Sequence, residues 1–382
     1  MRILQVIASV RAENGGSSLS ASELNAAWNR AGHNATLFTI RDSHDAPVGP
    51  VPDVAVFAPS GPEALGYSRE LSRALSAASH DGAVLYVHGL YLGVNVSAFR
   101  IAHRRKLPLV IQPHGTLEPF QRRYHRGRKF VFDSIYGNRT LHAARLFVCA
   151  SQTEADNIRA HIKQANCVVS PLGVRPAAVS DPVDLTSPTG WLEAPRHERV
   201  LFLGRLASKK NIPLLLQAWR DVTTTFPTAR LLIAGPDHEL TADDVKRLIS
   251  SQGLGASVSQ LGMIAGQSKW DLLRAAGIFA LPSSNENFAL AVLEALATGC
   301  EVLTTEQVAA SEYVTQYDAG LVLSEPTAAM IRRGLEDLLR RSRGVSAHER
   351  DERARRLADA MSWDQTVSRI ASALARIDGV DA

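Results

Sequence analysis

Two glutamates, Glu286 and Glu294, stand eight positions apart around a strongly apolar stretch. Residues 288–297 read FALAVLEALA, in which Glu294 is the single charged position. A helix that is apolar all round is expected to be buried, and a buried carboxylate is costly without a partner. Glu294 is therefore expected to bind either the hydroxyl groups of a ligand or a basic side chain elsewhere. The two glutamates alone favour the basic side chain.

The spacing also fits a nucleotide. At ~1.5 Å per residue, Glu294 lies about 9 Å along the predicted helix, the reach from a phosphate at the helix end to a sugar. A carboxylate there could accept hydrogen bonds from ribose hydroxyls, and Glu286 could do the same for a second sugar. Ser284 or Asn285 is predicted to cap the helix, which would place Glu286 beside the positive end of the helix dipole.

A second group of charges occurs in residues 202–211, FLGRLASKKN. A strand is predicted to end at Gly204, so that Arg205, Lys209 and Lys210 lie between this strand and the next helix. An arginine binds phosphate as a fork and a lysine binds it as a point charge, which suits a diphosphate. The alternative is a surface loop that happens to be basic.

Three further positions follow predicted strands of the first half. Gly15 and Gly16, in residues 13–18 (ENGGSS), could let backbone amides approach an anion or could simply form a tight turn. His88 ends one strand and His114 follows another, and each precedes a glycine. Because the two histidines occupy equivalent positions after strands, a functional role and a structural role are equally expected for them. The sequence shows no Ser–His–Asp order and no metal-ligand cluster.

Short β-rich segments alternate with helical patterns along nearly the whole chain, which predicts parallel, doubly wound sheets. The predicted strands are residues 2–9, 35–40, 54–57, 83–88, 107–112, 145–149 and 167–170, then 200–203, 230–234, 258–261, 278–281, 301–304 and 321–323. The predicted helices include residues 18–31, 62–78, 94–105, 151–162, 212–223, 241–251, 268–275, 288–297 and 364–377. In the helix that starts at Ser151, Ser151 and Glu154 are predicted to form a capping box.

The fold class is accordingly α/β, with two Rossmann-like doubly wound domains that face a cleft. Residues 1–175 are predicted to form the first domain and residues 198–361 the second. A Pro-, Ser- and Asp-rich linker over residues 176–197 would join them. Ligands of such sheets bind at the carboxyl ends of the strands, so the cleft is the expected site.

The composition excludes several other classes of protein. The chain has 382 residues, of which 45% are hydrophobic and 21% charged, as in ordinary globular proteins. No run reaches the ~18–20 apolar residues of a membrane span, and the N-terminus does not read as a signal peptide. Three widely spaced cysteines argue against a disulfide framework and a zinc site. A cytoplasmic location is expected.

The basic residues are unevenly distributed. From Arg100 to Lys129 the chain has nine Lys or Arg residues and one acidic residue, Glu118, a net charge of +8. Such a segment suggests an anionic partner, and we predict peripheral contact with an anionic membrane at its inner face. A solvated helix face is the alternative. The segment has few aromatic residues for stacking and no nucleic-acid motif, so no nucleic-acid partner is expected.

Six separated motifs, in order, resemble those of the retaining, nucleotide-sugar-dependent glycosyltransferases of family 4, which have the GT-B fold. They are NGGSS, QPHGTLEPF, ARLFVCASQTEADNIR with SPLGV, FLGRLASKKN, the long segment from LGMIAGQSKW to CEVLTT, and MSWDQTVSRIASAL. The long segment is similar to the E-x7-E region of that family. The resemblance covers nearly the whole chain, and it implies that a final helix, residues 362–382, returns to the first domain.

The resemblance also implies roles for individual residues. Arg205 and Lys210 would bind the donor diphosphate and stabilise the leaving group, and Glu294 would bind the ribose. With the resemblance, a ligand's ribose explains the lone charge of Glu294 better than a partner side chain does. Glu286 would contact the transferred sugar, near the backbone amides of three consecutive residues. Those three residues are Phe288, Ala289 and Leu290. His114 would lie beside the sugar as a further catalytic residue, and Gly16 would admit the phosphates.

The family transfers sugars with retention, and a donor phosphate helps to deprotonate the acceptor hydroxyl. The resemblance therefore implies no metal and no cofactor other than the donor, a UDP- or GDP-sugar, and a glycan or lipid-linked acceptor in polysaccharide biosynthesis. Two positions depart from the family pattern, in which glycine is frequent: Ala289 follows the phenylalanine, and Asn211 follows the lysines. The first departure bears on how closely the backbone approaches the sugar.

Two other functions remain open at the level of the sequence. A nucleotide-sugar hydrolase or epimerase could use a related two-domain fold, with His114 as its proton-handling group. A non-catalytic nucleotide or nucleic-acid binder would fit the sequence pI of about 9.0.

Overall fold

The structure is a computed structural model that describes residues 1–11, 15–40, 53–118, 136–175 and 190–377. The first half of the chain forms a seven-stranded parallel sheet. Its strands are β1 (Arg2–Val6), β2 (Asn34–Ile40), β3 (Val54–Phe57), β4 (Ala83–His88), β5 (Leu109–Gln112), β6 (Leu146–Cys149) and β7 (Cys167–Val169). Their order in the sheet is β3-β2-β1-β4-β5-β6-β7. The direction of winding therefore reverses between β1 and β4.

Helices connect these strands. They are α1 (Gly16–Arg30), α2 (Arg69–Ala78), α3 (Gly93–Arg105), α4 (Asn138–Ala143) and α5 (Gln152–His161). Strands β4, β5 and β6 are buried at every position, because helices cover both faces of a parallel sheet. Continuous apolar runs, rather than alternation, are therefore what identified these strands in the sequence.

The second half forms a six-stranded parallel sheet in the order β10-β9-β8-β11-β12-β13. Its strands are β8 (Arg199–Leu203), β9 (Arg230–Ala234), β10 (Val258–Leu261), β11 (Ile278–Ala280), β12 (Glu301–Thr305) and β13 (Gly320–Leu323). Its helices are α6 (Ile212–Thr225), α7 (Ala242–Ser251), α8 (Gly266–Ala275), α9 (Leu290–Leu296), α10 (Ser311–Gln316), α11 (Ala328–Ser342) and α12 (Ala347–Ala360). Here the winding reverses between the neighbouring strands β8 and β11.

The predicted fold class, two Rossmann-like doubly wound α/β domains, is confirmed, and every predicted strand is present. The chain divides into one unit of residues 1–173 and 361–382 and another of residues 174–360. The predicted linker differs in extent. Residues 176–189 lie outside the described residues, whereas Trp191 is fully buried in the second unit and its indole nitrogen donates to the Val200 carbonyl at 3.0 Å.

The last helix, α13 (Trp363–Leu374), belongs to the first unit. Its Asp364 pairs with Arg30 of α1 at 2.7 Å, and the Thr366 hydroxyl donates to the Pro171 carbonyl at 3.0 Å. Trp363 is buried against Gly173, where an added Cβ would lie 2.5 Å from the indole ring. The return of the C-terminal helix thus rests on a close glycine–tryptophan contact. Among the described residues, none of the helices is both long enough and apolar enough to cross a membrane.

Candidate functional site

The basic loop after β8 lies at the reversal point of the second sheet. Ser208–Lys210 forms one turn of 3₁₀ helix, and Asn211, with φ 57°, leads into α6. Asparagine tolerates this left-handed conformation better than most residues, so it can replace the frequent glycine at this position. The Lys210 side chain runs alongside Gly204, where an added Cβ would lie 3.5 Å from Nζ. The loop therefore brings Lys210 back to the end of the strand.

The loop after β11 is hydrogen-bonded to this basic loop. The Asn211 side-chain amide donates to the Pro282 carbonyl at 2.8 Å, and the Ser284 backbone amide donates to the Lys209 carbonyl at 2.9 Å. The two loops are neighbours because β8 and β11 pair directly in the sheet. In an open α/β sheet, ligands usually bind beyond the carboxyl ends of the strands at such a reversal point.

Glu286 contacts both lysines of the basic loop. Its carboxylate lies 2.6 Å from Lys210 Nζ and 3.2 Å from Lys209 Nζ, and the three side chains are between 11% and 17% exposed. Burial raises the pKa of the Glu286 carboxyl, but the charges of Lys210 and Lys209 outweigh it, so the pKa falls below its usual value. Burial lowers the pKa of Lys210 despite the attraction of Glu286.

Positive charge exceeds negative charge at this point. One carboxylate serves two lysines, and the guanidinium of Arg205 has no hydrogen bond or ion pair within the described part of the chain. Arg205 is near enough to lower the pKa of Lys210 further. Glu239 binds the Ser208 amide at 2.7 Å and so anchors the start of the 3₁₀ turn. The surplus of cations is suited to an anionic ligand.

The segment after Glu286 differs from the prediction. Glu286 is extended and bridges to Val308, and its amide donates to the Gln307 carbonyl at 3.0 Å. The helix begins only at Leu290, so the predicted caps Ser284 and Asn285 are wrong, and Glu286 does not lie at the helix end. The reason is that the amides of Ser284 and Glu286 donate to the carbonyls of Lys209 and Gln307 in neighbouring loops, which holds this segment outside the helix.

Ala289 occupies the N-cap position of α9 with φ 69° and ψ 72°. This left-handed conformation suits glycine and is strained for alanine. The preceding Phe288 is buried, and its carbonyl accepts from the Ala310 amide at 3.1 Å. Packing of Phe288 therefore holds the strained turn in place, and the backbone has the conformation that glycine would adopt freely.

Glu294 has a side-chain partner. Its Oε1 lies 2.5 Å from Lys269 Nζ on α8, with the two side chains 6% and 15% exposed. The ion pair that the sequence left open is therefore present, and the view that a ligand explains Glu294 better than a partner side chain needs correction. Lys269 Nζ also lies 4.9 Å from the centroid of the Trp270 ring. The contact engages only Oε1, so the ribose role stays a prediction that the ion pair does not exclude.

In the first unit, His114 is joined to a buried polar chain. His114 Nε2 lies 3.0 Å from His88 Nδ1, and His88 Nε2 lies 2.9 Å from Gln5 Oε1. The Gln5 amide nitrogen donates to Asn25 Oδ1 at 2.9 Å. Burial lowers the pKa of His114 to about 4, and burial followed by the proximity of His114 lowers that of His88 well below its usual value. Both imidazoles are therefore neutral near pH 7.

Glu154 supports the loop that carries His114. The Ser151 hydroxyl accepts from the Glu154 amide at 3.1 Å, which is one half of the predicted capping box. The Glu154 carboxylate does not return to Ser151. It accepts from the amides of Gly115 and Ala150, each at 2.7 Å, and so ties the histidine loop to the start of α5.

Gly15 and Gly16 lie at the start of α1, and residues 12–14 of the same loop fall outside the described residues. Gly15 has φ 75°, a conformation that favours glycine, whereas Gly16 is the first residue of the helix. A Cβ added at Gly16 would meet no described atom within 4 Å, so packing of the described residues does not require glycine there. The predicted role of Gly16 toward phosphate is thus separable from folding.

The structure shows contacts that the sequence did not predict. Lys209 shares Glu286 with Lys210, Lys269 holds Glu294, and Glu154 supports the histidine loop. Gln5 carried a readable signal, since it is the one polar residue in the buried run ILQV of β1. The partner of Glu294 carried none, because Lys269 is a common basic residue on another helix. The described residues contain no group of three His, Cys, Asp or Glu side chains that could hold a metal.

Both halves of the chain match models of one protein family. Residues 15–173 match a glycosyl transferase 4-like domain, and residues 189–358 match the model named glycosyl transferases group 1.

Individual relatives are more distant. Mannosylfructose-phosphate synthase of Agrobacterium fabrum is 34% identical over 112 residues, 28% of this chain and 25% of the relative. GDP-mannose:cellobiosyl-diphosphopolyprenol alpha-mannosyltransferase of Xanthomonas campestris is 26% identical over 218 residues, 56% of this chain and 54% of the relative. The chain thus spans about a quarter and about half of the length of these curated relatives. A structure of HepE from Anabaena, in complex with UDP and glucose, superposes with a TM-score of 0.74 at 19% identity over 99% of this chain and 100% of HepE.

Proposed function

Because the chain belongs to the glycosyl transferases of group 1, with the two Rossmann-like domains of the GT-B fold, we propose that it is a retaining glycosyltransferase. It moves a sugar from a UDP- or GDP-sugar to a hydroxyl group of a glycan or lipid-linked acceptor. The observation that carries the proposal is the cluster at the reversal point of the second sheet, where Lys209 and Lys210 pair with Glu286 and Arg205 lies near Lys210.

In this proposal the diphosphate of the donor binds the basic loop. Arg205 has its donors available for a forked contact, and the two lysines exchange part of their contact with Glu286 for phosphate oxygens. When the bond between the sugar and the diphosphate breaks, negative charge grows on the departing phosphate. Fixed cations in a partly buried site stabilise that charge, which is the largest contribution that such a site can make to the rate.

The sugars of the donor bind the loop and helix that follow. Glu294 keeps Lys269 on one oxygen and accepts ribose hydroxyls with its carboxylate. Glu286 contacts the transferred sugar, and the left-handed turn at Ala289 turns the amides from Phe288 to Leu290 toward it. His114 is proposed as the catalytic residue of the first unit, and Gly16 as the position that admits the phosphates.

The transfer proceeds on one face of the sugar. The bond from the anomeric carbon to the phosphate oxygen breaks, the acceptor oxygen bonds to the same face, and the acceptor proton passes to the departing phosphate. The configuration is retained without a glutamate nucleophile of the kind that retaining glycosidases use. Arg205 and Lys210 supply the positive charge, so we propose that the reaction is metal-independent.

The acceptor and the location belong to the same proposal. The name of the Xanthomonas relative specifies a diphosphopolyprenol-linked acceptor, which supports a role in cell-surface polysaccharide synthesis. In the basic segment 100–129, Arg104 and Arg105 at the end of α3 and Lys106 directly after it are exposed, and residues 119–129 lie outside the described residues. We propose that this segment contacts an anionic leaflet from the cytoplasm. Charge reversal at Arg104 and Arg105 should then reduce flotation with anionic vesicles, and unchanged flotation would refute the contact.

Donor binding tests the central proposal. The full chain is screened against UDP-, GDP- and ADP-sugars by thermal shift and calorimetry. A donor present at 100 times its dissociation constant should add about 2.7 kcal/mol to the free energy of unfolding. Arg205→Met and Lys210→Met should abolish the shift, while Lys246→Met, an exposed lysine of α7, should retain it.

Three results would contradict this function. If no nucleotide sugar binds, the transferase proposal fails. Release of free sugar that does not depend on an acceptor would indicate a hydrolase, and an epimerised nucleotide sugar would indicate an epimerase. For a retaining transfer, NMR of the product should show the anomeric configuration of the donor.

A further inference from the structure

The hydrogen-bonded side chains that lead to His114 are unusual because they lie in the buried centre of the first unit. Gln5 and Asn25 are fully buried, and His88 is 3% exposed, in the centre of the first unit. Buried amides and imidazoles destabilise a fold unless each polar atom has a partner. Here one residue each from β1, α1 and β4 forms a continuous chain of hydrogen bonds that ends at His114.

The chain has a direction. The Gln5 amide nitrogen donates to Asn25, so the atom that Gln5 offers to His88 is the acceptor Oε1. His88 Nε2 must therefore carry a hydrogen. A neutral imidazole has one N–H, which leaves His88 Nδ1 as an acceptor. His114 Nε2, 3.0 Å from that atom, must then donate to it.

We infer that Gln5, Asn25 and His88 are positioning residues, which hold His114 in the Nε2–H tautomer so that its Nδ1 accepts a hydrogen bond from a substrate hydroxyl. The inference rests on the proposed function for the identity of that hydroxyl as part of a sugar. It assigns His114 as a neutral acceptor near pH 7, in agreement with the lowered pKa of both imidazoles.

The backbone restricts the same ring. His114 has φ 53°, and the next amide, that of Gly115, donates to the buried Glu154 carboxylate at 2.7 Å. The two histidine rings are inclined by only 15°, with 5.3 Å between their centroids, which fits an N–H···N hydrogen bond between nearly coplanar rings. His88 engages one ring nitrogen, and among the described residues none is hydrogen-bonded to the other, Nδ1, which is therefore the atom we assign to ligand binding. In a histidine, the hydrogen bond made by one ring nitrogen commonly determines whether the other nitrogen carries a hydrogen.

The tautomer can be measured without any donor. The full chain is labelled with ¹⁵N-histidine, and the signals of His88 and His114 are assigned from His88→Gln and His114→Gln spectra. At pH 7 we expect His114 to be protonated at Nε2 and not at Nδ1, with no titration between pH 8 and pH 5.5. An Nδ1–H signal, or titration of His114 within that interval, would overturn the inference.

Two variants of Gln5 test the row of hydrogen bonds from Asn25 to His114. Gln5→Met removes the acceptor for His88 and should yield a mixture of His114 tautomers, with kcat/KM reduced about tenfold, the effect of one lost hydrogen bond. Gln5→Glu keeps an acceptor oxygen and should restore the Nε2–H tautomer. Gln112→Met is the matched control. Gln112 is also buried, bonds Tyr86 rather than the chain, and should leave the tautomer unchanged.

The outcomes separate the two proposals. An unchanged His114 tautomer in Gln5→Met, or an equal change in Gln112→Met, would overturn the positioning role even if sugar transfer is observed. If the tautomer is as expected but no nucleotide sugar binds, the proposed function fails, while the effect of Gln5, Asn25 and His88 on the His114 tautomer stands.

Discussion

Lys269 Nζ lies 2.5 Å from Glu294 Oε1, and this ion pair joins helix α8 to the short helix α9. Glu294 is the one charged residue of an otherwise apolar helix, so its burial depends on this lysine. The pair holds the Glu294 side chain in one position, as a residue that binds hydroxyl groups needs. Lys269 is thus a support for the proposed ribose site.

Removal of one partner of this pair should destabilise the protein. Lys269→Met leaves a buried carboxylate without compensation, and we expect the free energy of unfolding to fall by ~3 kcal/mol. Lys269→Met combined with Glu294→Gln should recover most of the loss, because no uncompensated charge remains. Urea denaturation measures both. Additive losses in the double variant would show that the two side chains do not interact.

Ala289 should be improved by glycine. A left-handed residue other than glycine costs roughly 1–2 kcal/mol, so Ala289→Gly should stabilise the protein by about 1 kcal/mol. Ala291→Gly, two positions later inside α9, is the matched control and should destabilise by ~0.5–1 kcal/mol. Thermal unfolding compares them. A loss of stability in Ala289→Gly would contradict the strain assigned to this turn.

Glu286 should contribute to the pH dependence of stability. Its pKa is lowered in the folded protein, so its stabilisation is present above the unfolded pKa and is lost as the pH falls through the folded pKa. Glu286→Gln should therefore be less stable than the parent at pH 7, and the difference should shrink as the pH falls below about 4.5. Urea titrations at pH 7, 5 and 4 measure it. Glu325→Gln, at an exposed glutamate, is the control, and a difference that widens in acid would contradict the pairing with the lysines.

Gly173 should tolerate no side chain. An added Cβ would lie 2.5 Å from the Trp363 ring, so Gly173→Ala should displace α13 and destabilise the first unit by ~1–3 kcal/mol. Gly255→Ala is the control, because a Cβ there meets no described atom within 4 Å. Equal melting temperatures for the two variants would show that the contact with Trp363 is not tight.

Much of the site could be predicted because its parts are local in sequence. Strand ends and the loops after them were readable from apolar runs that stop at Gly204, His88 and Pro282. The sequence also showed that Asn211 and Ala289 replace glycines of the family pattern. It did not show whether the backbone keeps a left-handed conformation at these two positions. The residue type changes the free-energy cost of a left-handed backbone conformation. Whether the backbone adopts that conformation depends on the stabilising packing around the turn.

The sequence by itself determined two doubly wound domains and the loops that carry Arg205, Lys210, Glu286 and His114, because buried strands and helices follow from local apolar runs and helical periodicity. Only the tertiary structure decided which charges meet. Lys209 and Glu286 are 77 positions apart, and Gln5 and His88 are 83 apart. Both pairs follow from the order of strands at the two reversal points, where β1 neighbours β4 and β8 neighbours β11. That order depends on the packing of each sheet as a whole, and no short segment encodes it.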